Sequence, residues 1–424
     1  YEFRAGQPVE ALVDRALDIA MSEPRGPVYL TLPREVLCDP AVPARRDTVR
    51  PLGAAAPAPA QAAIEEAAAA IANAEFPLIV TSAAGRSPAA FAALAKLAET
   101  FALPVVQAEA RDVNLASDHP MNFGFDVGPW LPKADVVVVL DSAVPWIPRA
   151  NQPKRGTRIF HISSDPLLTS YPFREFEADA LITGEIHAAV TMLHAALADA
   201  TKGKSNAIEA RRKLAADVQV ERRERHKKLI EAARNQMPIN LAWVGACLNA
   251  AKAKDAILVS ELGVPAAQLD LTMQGSYMGN MLAGGLGMGL GAALGAKLAA
   301  PEREVIAMVG DGSYMFGNPL PFHYVAQAEG LATLTIVTNN QSWHAVRRAT
   351  LDVYPDGDAA RANIMPLTEL KPSPSFEKII DAAGGGFAAK VENPADLPKT
   401  IENALAAVRS GTPAILNVLT GGRG

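Results

Sequence analysis

Cysteine is almost missing from this chain: Cys38 and Cys247 are the only two in 424 residues. Two thiols cannot build a disulfide framework or a cysteine metal site, and their scarcity fits a reducing, cytoplasmic setting. Aromatic residues are sparse at 6% and no basic cluster alternates with them; with a net charge of −5, this excludes the usual nucleic-acid surface. His119, His161, His187, His194 and His226 show no metal-ligand spacing. No basic, apolar and small-residue leader opens the chain. Residues 271–296 lack charge altogether and are long enough to suggest a membrane span. Gln274, Ser276 and Asn280 interrupt that stretch and glycines crowd its second half, so a buried glycine-rich loop running into a buried helix is expected instead, with no membrane partner. What is present is an ordinary globular balance, 49% hydrophobic and 20% charged, in a chain long enough for two or three domains.

Residues 8–22 carry helical periodicity, Pro24 to Pro27 form a turn, and Val28–Leu32 reads as a short strand. One helix and one strand cannot bury a core, so residues 1–39 are expected to be the end of a domain, followed by a Pro/Ala-rich linker over 40–60. From 61 to 200, helices at 61–74, 88–101 and 185–199 alternate with apolar strands at 78–81, 104–107, 136–140 and 158–162. A charged helical connector is expected over 201–235. The alternation resumes over 236–424, with strands at 257–260, 305–309, 333–338 and 415–418 and helices at 284–299, 319–329 and 375–383. The reading is α/β: two domains with parallel sheets covered by helices, preceded by the tail of a third.

Two strand ends carry the chemistry. Strand 305–309 runs into Gly310-Asp311-Gly312-Ser313, and strand 333–338 runs into Asn339-Asn340-Gln341-Ser342. In open parallel sheets, ligands gather at the carboxyl ends of strands. A carboxylate, a side-chain amide and a free carbonyl make a hard oxygen cage that suits Mg²⁺, with phosphate oxygens and water completing the shell. Gly310 and Gly312 permit a tight turn and let backbone amides approach phosphate, and Ser313 can donate to it. Either turn alone is commonplace. Two at equivalent strand ends point to a diphosphate cofactor held through a metal. Two imitations are rejected. Gly287-x-Gly289-x-x-Ala292 lacks a good preceding strand for a dinucleotide site, and Gly203-Lys204-Ser205 lacks the first glycine of a P-loop, with Ala at 198.

GDG followed by NN roughly thirty residues later resembles the signature of thiamine diphosphate-dependent enzymes. Gly275-Ser276-Tyr277, the run Gly284–Ala296 and Ser260-Glu261 resemble segments of the acetolactate synthase and benzoylformate decarboxylase group, and the similarity covers nearly the whole chain. It implies a remnant of a pyrimidine-binding domain, a central domain and a diphosphate-binding domain. It implies Asp311, Asn340 and the Ser342 carbonyl as Mg²⁺ ligands. Gly312, Ser313 and the backbone of Trp343, His344, Ala345 and Val346 would hold diphosphate, with amides added at Gly263 and Val264. The Gly284 carbonyl would accept from the cofactor's exocyclic amine, and Leu286 would be the apolar wedge that bends the cofactor. Met278, Asn280, Met281 and Met288, with Trp343, His344 and Val346, would line the substrate side.

In this group a glutamate of the pyrimidine-binding domain protonates the cofactor's aminopyrimidine ring. No residue of 1–40 lies in a matching motif, so a longer chain or a partner must supply it, and this chain by itself is expected to be inactive. The active site forms between subunits, which implies a homodimer or homotetramer. His344 stands where many relatives carry glycine; it is a candidate proton donor or carboxylate contact, or else a backbone position whose side chain faces diphosphate or solvent. His323, inside the 319–329 helix, is expected to be structural. Residues 141–148 lack the arginines that hold FAD in acetolactate synthases, which argues against FAD. The resemblance implies an acetolactate synthase-like enzyme that makes or breaks C–C bonds beside the carbonyl of a 2-keto acid. A benzoylformate-type decarboxylase or 2-hydroxyacyl lyase comes next, and a non-catalytic subunit that kept the fold is the alternative from another class.

Overall fold

The computed structural model describes residues 1–43, 52–109, 111–171, 176–280, 285–362, 364–365 and 367–421. The chain divides into two compact units, residues 1–84 with 127–209, and residues 85–126 with 210–424.

The first unit is built on strands β1 (Pro77–Thr81), β3 (Val136–Leu140), β4 (Arg158–Ser163) and β5 (Ala180–Thr183), where β2 denotes Val105–Val106 of the 85–126 segment. They pair in the order β1-β3-β4-β5, all parallel, with Leu78 opposite Val137 and Val137 opposite Ile159. Every residue of β1 and β3 is buried, as expected where helices cover both faces of a parallel sheet. Helix Gln61–Asn73 buries Ile64, Ala67, Ala68 and Ile71 and packs on helix Ile186–Ala200. Glu185 starts that second helix by accepting the amides of His187 and Ala188, two donors that the first turn leaves unpaired. Residues 1–43 bury only Phe3 and Ala16. The strand expected at 28–32 does not form. Thr31 makes a single bridge to Glu2, and Tyr29 is 81% exposed. Its backbone instead meets the start of the chain: Thr31 donates its amide to the Tyr1 carbonyl and its carbonyl accepts the Phe3 amide, a single bridge too short to make a strand.

The second unit holds a six-stranded sheet: β6 (Ile257–Glu261), β7 (Tyr277–Met278), β8 (Val305–Gly310), β9 (Leu334–Asn339), β10 (Phe387–Val391) and β11 (Ala414–Leu419). The order is β10-β11-β9-β8-β6-β7, parallel throughout. β6, β8 and β9 are buried at every position. Helices Leu241–Ala251 and Leu397–Arg409 close a core that contains Leu248, Leu258, Met308, Ile336, Leu405 and Leu416. A second cluster joins Leu290, Val309, Tyr314, Val337, Phe376 and Ile380.

The charged stretch is one 29-residue helix, Ser205–Ala233, with only Arg211, Ala215, Val218 and Ala233 buried. The helix expected at 284–299 begins at Met288, because Gly287 takes a left-handed φ of 93° that ends any helical run into it. Nor is that helix buried all round: Gly289, Leu290 and Ala293 face the core, while Leu298 is 71% exposed. The helix expected at 375–383 is a 3₁₀ turn, Phe376–Lys378, followed by one α turn, Ile379–Ala382. Among the described residues no helix is long and apolar enough to cross a membrane.

Candidate functional site

Because β8 and β9 are parallel and in register, with Gly310 opposite Thr338, their following residues leave the sheet at one edge. Asp311 comes directly after β8 and is 2% exposed. One of its oxygens, Oδ1, accepts the Gly312 amide at 2.9 Å, and Oδ2 accepts the Ser342 amide at 3.2 Å across the crevice. The two turn tips singled out by their motifs are thus joined by one carboxylate. Burial pushes the Asp311 carboxyl above the usual carboxylate range, and the amides of Gly312, Ser342 and Gln341 oppose that shift. Among the described residues this buried carboxylate pairs with backbone amides and no cationic side chain, so it stands to gain from a cation.

The two asparagines divide their work. Asn339 is structural: its Nδ2 donates to Ser373 Oγ at 2.9 Å and to Asn417 Oδ1 at 3.0 Å, and its Oδ1 accepts the Gln341 amide. Gln341 then turns the chain with φ 58°, and its carbonyl accepts from Leu370. Asn340 Oδ1 is buried with no hydrogen-bond partner, as are Ser313 Oγ and Ser342 Oγ. Buried polar atoms are nearly always paired in native proteins, so orphans that cluster beside a buried carboxylate mark a place where a ligand completes the set. Neutral amide oxygen, hydroxyls and one carboxylate suit a hard cation and phosphate oxygens. Among the described residues no group of three His, Cys, Asp or Glu could hold a metal, so a cation here would rely on this mixed oxygen set. The Ser342 carbonyl accepts the His344 amide at 2.7 Å, which occupies one of its two lone pairs.

Close approach dictates the glycines. A Cβ on Gly312 would sit 2.5 Å from the Trp343 ring, and one on Gly263 would sit 2.4 Å from the Met308 carbonyl oxygen. Trp343 therefore lies directly over the start of helix Asp311–Phe316, and the 262–264 loop lies against β8. Val264 is fully buried, and its carbonyl accepts from Ser260 Oγ. His344 begins helix His344–Val353 and is half-buried; Ala345 and Val346 are exposed. Leu286 is half-buried, in the loop just before Gly287. Gly284 and Met281 lie outside the described residues. His323 is structural in form: its Nε2 pairs with Tyr314 Oη at 2.8 Å beneath Phe322 and Phe376, and burial holds its pKa down to about 4.

Three arrangements had no signal in the sequence, although the resemblance had already singled out Glu261, Trp343, Val264, Tyr277 and Asn280. Glu261, at the end of β6, accepts the amides of Gly287 and Gly289. Trp343 covers Gly312. A cavity of about 260 Å³ opens at the ends of β6 and β7, lined by Leu262, Val264, Tyr277 and Asn280 together with Glu109 and Phe125. Glu109 could have been found only by its backbone, a left-handed φ of 45° at a non-glycine residue.

Residues 260–418 match the model of the C-terminal TPP-binding domain of thiamine pyrophosphate enzymes, and residues 64–193 match their central domain. This chain belongs to the thiamine pyrophosphate enzymes. The matched C-terminal domain contains both turn tips, the 262–264 loop and the glycine-rich run. An acetolactate synthase large subunit of Mycobacterium tuberculosis is 27% identical across 96% of this chain and 71% of its own length. In fold the chain is similar to a benzoylformate decarboxylase from Polynucleobacter necessarius, at a TM-score of 0.77 and 20% identity over 100% of this chain and 76% of that one. A thiamine diphosphate-dependent 4-hydroxybenzoylformate decarboxylase from Rhodococcus jostii gives a TM-score of 0.75 at 22% identity over the same shares. At these identities the likeness to the two decarboxylases shows a shared α/β fold.

Proposed function

We propose that this chain provides the cofactor-binding part of a thiamine diphosphate- and Mg²⁺-dependent enzyme that makes or breaks a C–C bond beside the carbonyl of a 2-keto acid. Acetolactate synthase-like carboligation is the first reading, on the strength of the relative matched along most of the chain. The observation that carries the proposal is the Asp311 carboxylate bonded across to Ser342, beside the unpartnered oxygen of Asn340.

Thiamine diphosphate, when bound, supplies the electron sink that such chemistry needs. The chain's own residues bind, orient and exclude water. Asp311 and Asn340 Oδ1, with the remaining lone pair of the Ser342 carbonyl, hold Mg²⁺. Ser313 Oγ and the amides of Gly312 and of Trp343 to Val346 hold diphosphate, joined by the 263–264 backbone. Trp343, packed on Gly312, keeps water from the diphosphate end. The Gly284 carbonyl would accept from the cofactor's exocyclic amine, and Leu286 would press against the cofactor as an apolar wedge. His344, at the start of its helix, would meet the substrate carboxylate or deliver a proton. The cavity at the ends of β6 and β7 takes the substrate's side chain. The glutamate that protonates the aminopyrimidine comes from a pyrimidine-binding domain, and the working unit is a homodimer or homotetramer with its site between subunits.

Calorimetry tests the binding half: Mg²⁺-dependent uptake of thiamine diphosphate is expected, and none in the presence of a chelator. Product analysis with a pyrimidine-binding domain supplied tests the chemistry. Acetolactate from pyruvate supports carboligation; an aldehyde from an aromatic 2-keto acid moves the assignment to the decarboxylase reading; binding without turnover of either leaves a non-catalytic subunit.

A further inference from the structure

Glu261 is 1% exposed, yet its carboxylate is spent on backbone. Gly287 donates its amide to Oε1 at 2.6 Å and Gly289 donates to Oε2. These donors stand at the start of helix Met288–Ala299, where unpaired amides and the helix dipole favour a negative charge. The contact is as close as it can be: a Cβ on Gly289 would lie 3.0 Å from the Glu261 side chain. On its other side, a Cβ on Gly287 would lie 2.9 Å from the Cα of Gly317, the residue that closes the short helix opened by Asp311. The loop carrying Leu286 is thus gripped between the end of β6 and the far end of the helix whose first residue is Asp311.

We propose that Glu261 is a positioning residue: it fixes Leu286 relative to the cation-binding end of the site, so that the protein discriminates bent thiamine diphosphate from a bare diphosphate. The inference rests on the function proposed above. A carboxylate does this work where an amide would not. Both of its oxygens accept, whereas a glutamine would turn an NH₂ toward one of the two amide donors.

The test compares two probes by Mg²⁺-dependent calorimetry, thiamine diphosphate and inorganic pyrophosphate, on wild type, Glu261→Gln, Glu261→Asp and Leu286→Ala. Glu261→Gln is expected to weaken thiamine diphosphate about tenfold or more while pyrophosphate changes less than about twofold. Glu261→Asp, which keeps both acceptors on a shorter arm, is expected to fall between it and wild type. If Glu261 acts through Leu286, the Glu261→Gln/Leu286→Ala double variant loses no more than the worse single one; additive losses mean independent roles. Hydrogen exchange without cofactor gives a separate readout: the Gly287 and Gly289 amides are protected in wild type and exchange faster in Glu261→Gln, with the rest of the sheet unchanged. Equal weakening of both probes, unchanged preference, additivity, or unprotected amides in wild type would overturn the inference while leaving the proposed function standing. Wild type that binds neither probe sinks the proposed function, and this inference with it.

Discussion

Replacing Asp311 by asparagine should separate the stability of the site from its purpose. In the cofactor-free protein the carboxylate accepts two backbone amides while buried, and its raised pKa shows that burial costs the charge more than those amides return. Asp311→Asn loses one acceptor, worth about 0.5–1.5 kcal/mol, and removes the desolvated charge. The two effects oppose, and the cofactor-free protein should change by no more than about 1 kcal/mol in urea. Binding behaves otherwise. A carboxylate ~2.1 Å from Mg²⁺ contributes about 4 kcal/mol even at the dielectric constant of water, and a neutral amide has no net charge to offer in its place. A loss of at least about 100-fold in Mg²⁺-dependent thiamine diphosphate affinity follows. Wild type at 100 times its Kd gains about 2.7 kcal/mol from the ligand, a gain that Asp311→Asn should not show under the same conditions. The assay is paired urea melts with and without Mg²⁺ and thiamine diphosphate. A variant that keeps the ligand-induced gain would refute the assignment. One that loses more than about 3 kcal/mol without ligand would make Asp311 a structural turn residue.

Other perturbations test the surroundings. Gly312→Ala drives a methyl into the Trp343 ring; a destabilisation of about 1–3 kcal/mol is expected in urea, relieved in the Gly312→Ala/Trp343→Ala double variant, whereas additive losses would show that the ring is not the obstacle. His161 and His323 are both buried with pKa values held down to about 4, against 6.5 when exposed. Between those values the unfolded chain binds protons that the folded one does not, so stability is full above pH 6.5 and falls as pH drops toward 4. Each histidine contributes up to roughly 1.4 kcal/mol per pH unit in that window. Urea melts of the second unit should show a flatter pH dependence in His323→Gln; an unchanged slope would mean that the imidazole is not the group responsible. Cys247 is buried with its thiol pushed up to about 12, while Cys38 is exposed. One thiol should therefore react quickly with an aromatic disulfide reagent in native buffer and two in denaturant, and fast reaction of both would contradict the packing of helix Leu241–Ala251.

The interior of the fold was legible because buried parallel strands are written as unbroken apolar runs. Val136–Leu140 and Val305–Val309 appear in the sequence almost as they do in space. The edge strands were not: Ala180–Thr183 and Phe387–Val391 are half exposed, so burial never imposed a continuous apolar run on them. Helix His344–Val353 is amphipathic, with Val346 and Val353 on one face, yet it buries none of its residues, so no core contact fixes it. Residues 28–32 show the converse, a local β pattern that finds only a one-residue bridge to Glu2 and never grows into a strand.

The site divides along the same line. Asp311 and Asn340 were legible because a cation demands certain oxygen types at strand ends, and residue type is visible in sequence. What each neighbour does for them depends on contacts made over long separations. Nothing in Asn339-Asn340 says that the first amide is spent on Ser373 and Asn417 while the oxygen of the second stays without a partner. Nothing around Gly312 says that an indole thirty-one residues later occupies the space of its missing Cβ. Glu261 is the sharpest case. The resemblance singles out Ser260-Glu261 as a strand end, and only folding reveals that helix Met288–Ala299 starts on its carboxylate. A cation site can thus be read from the residues that would touch the ion, whereas the geometry that makes it selective for one cofactor shape belongs to residues whose chemistry is ordinary and whose placement is not.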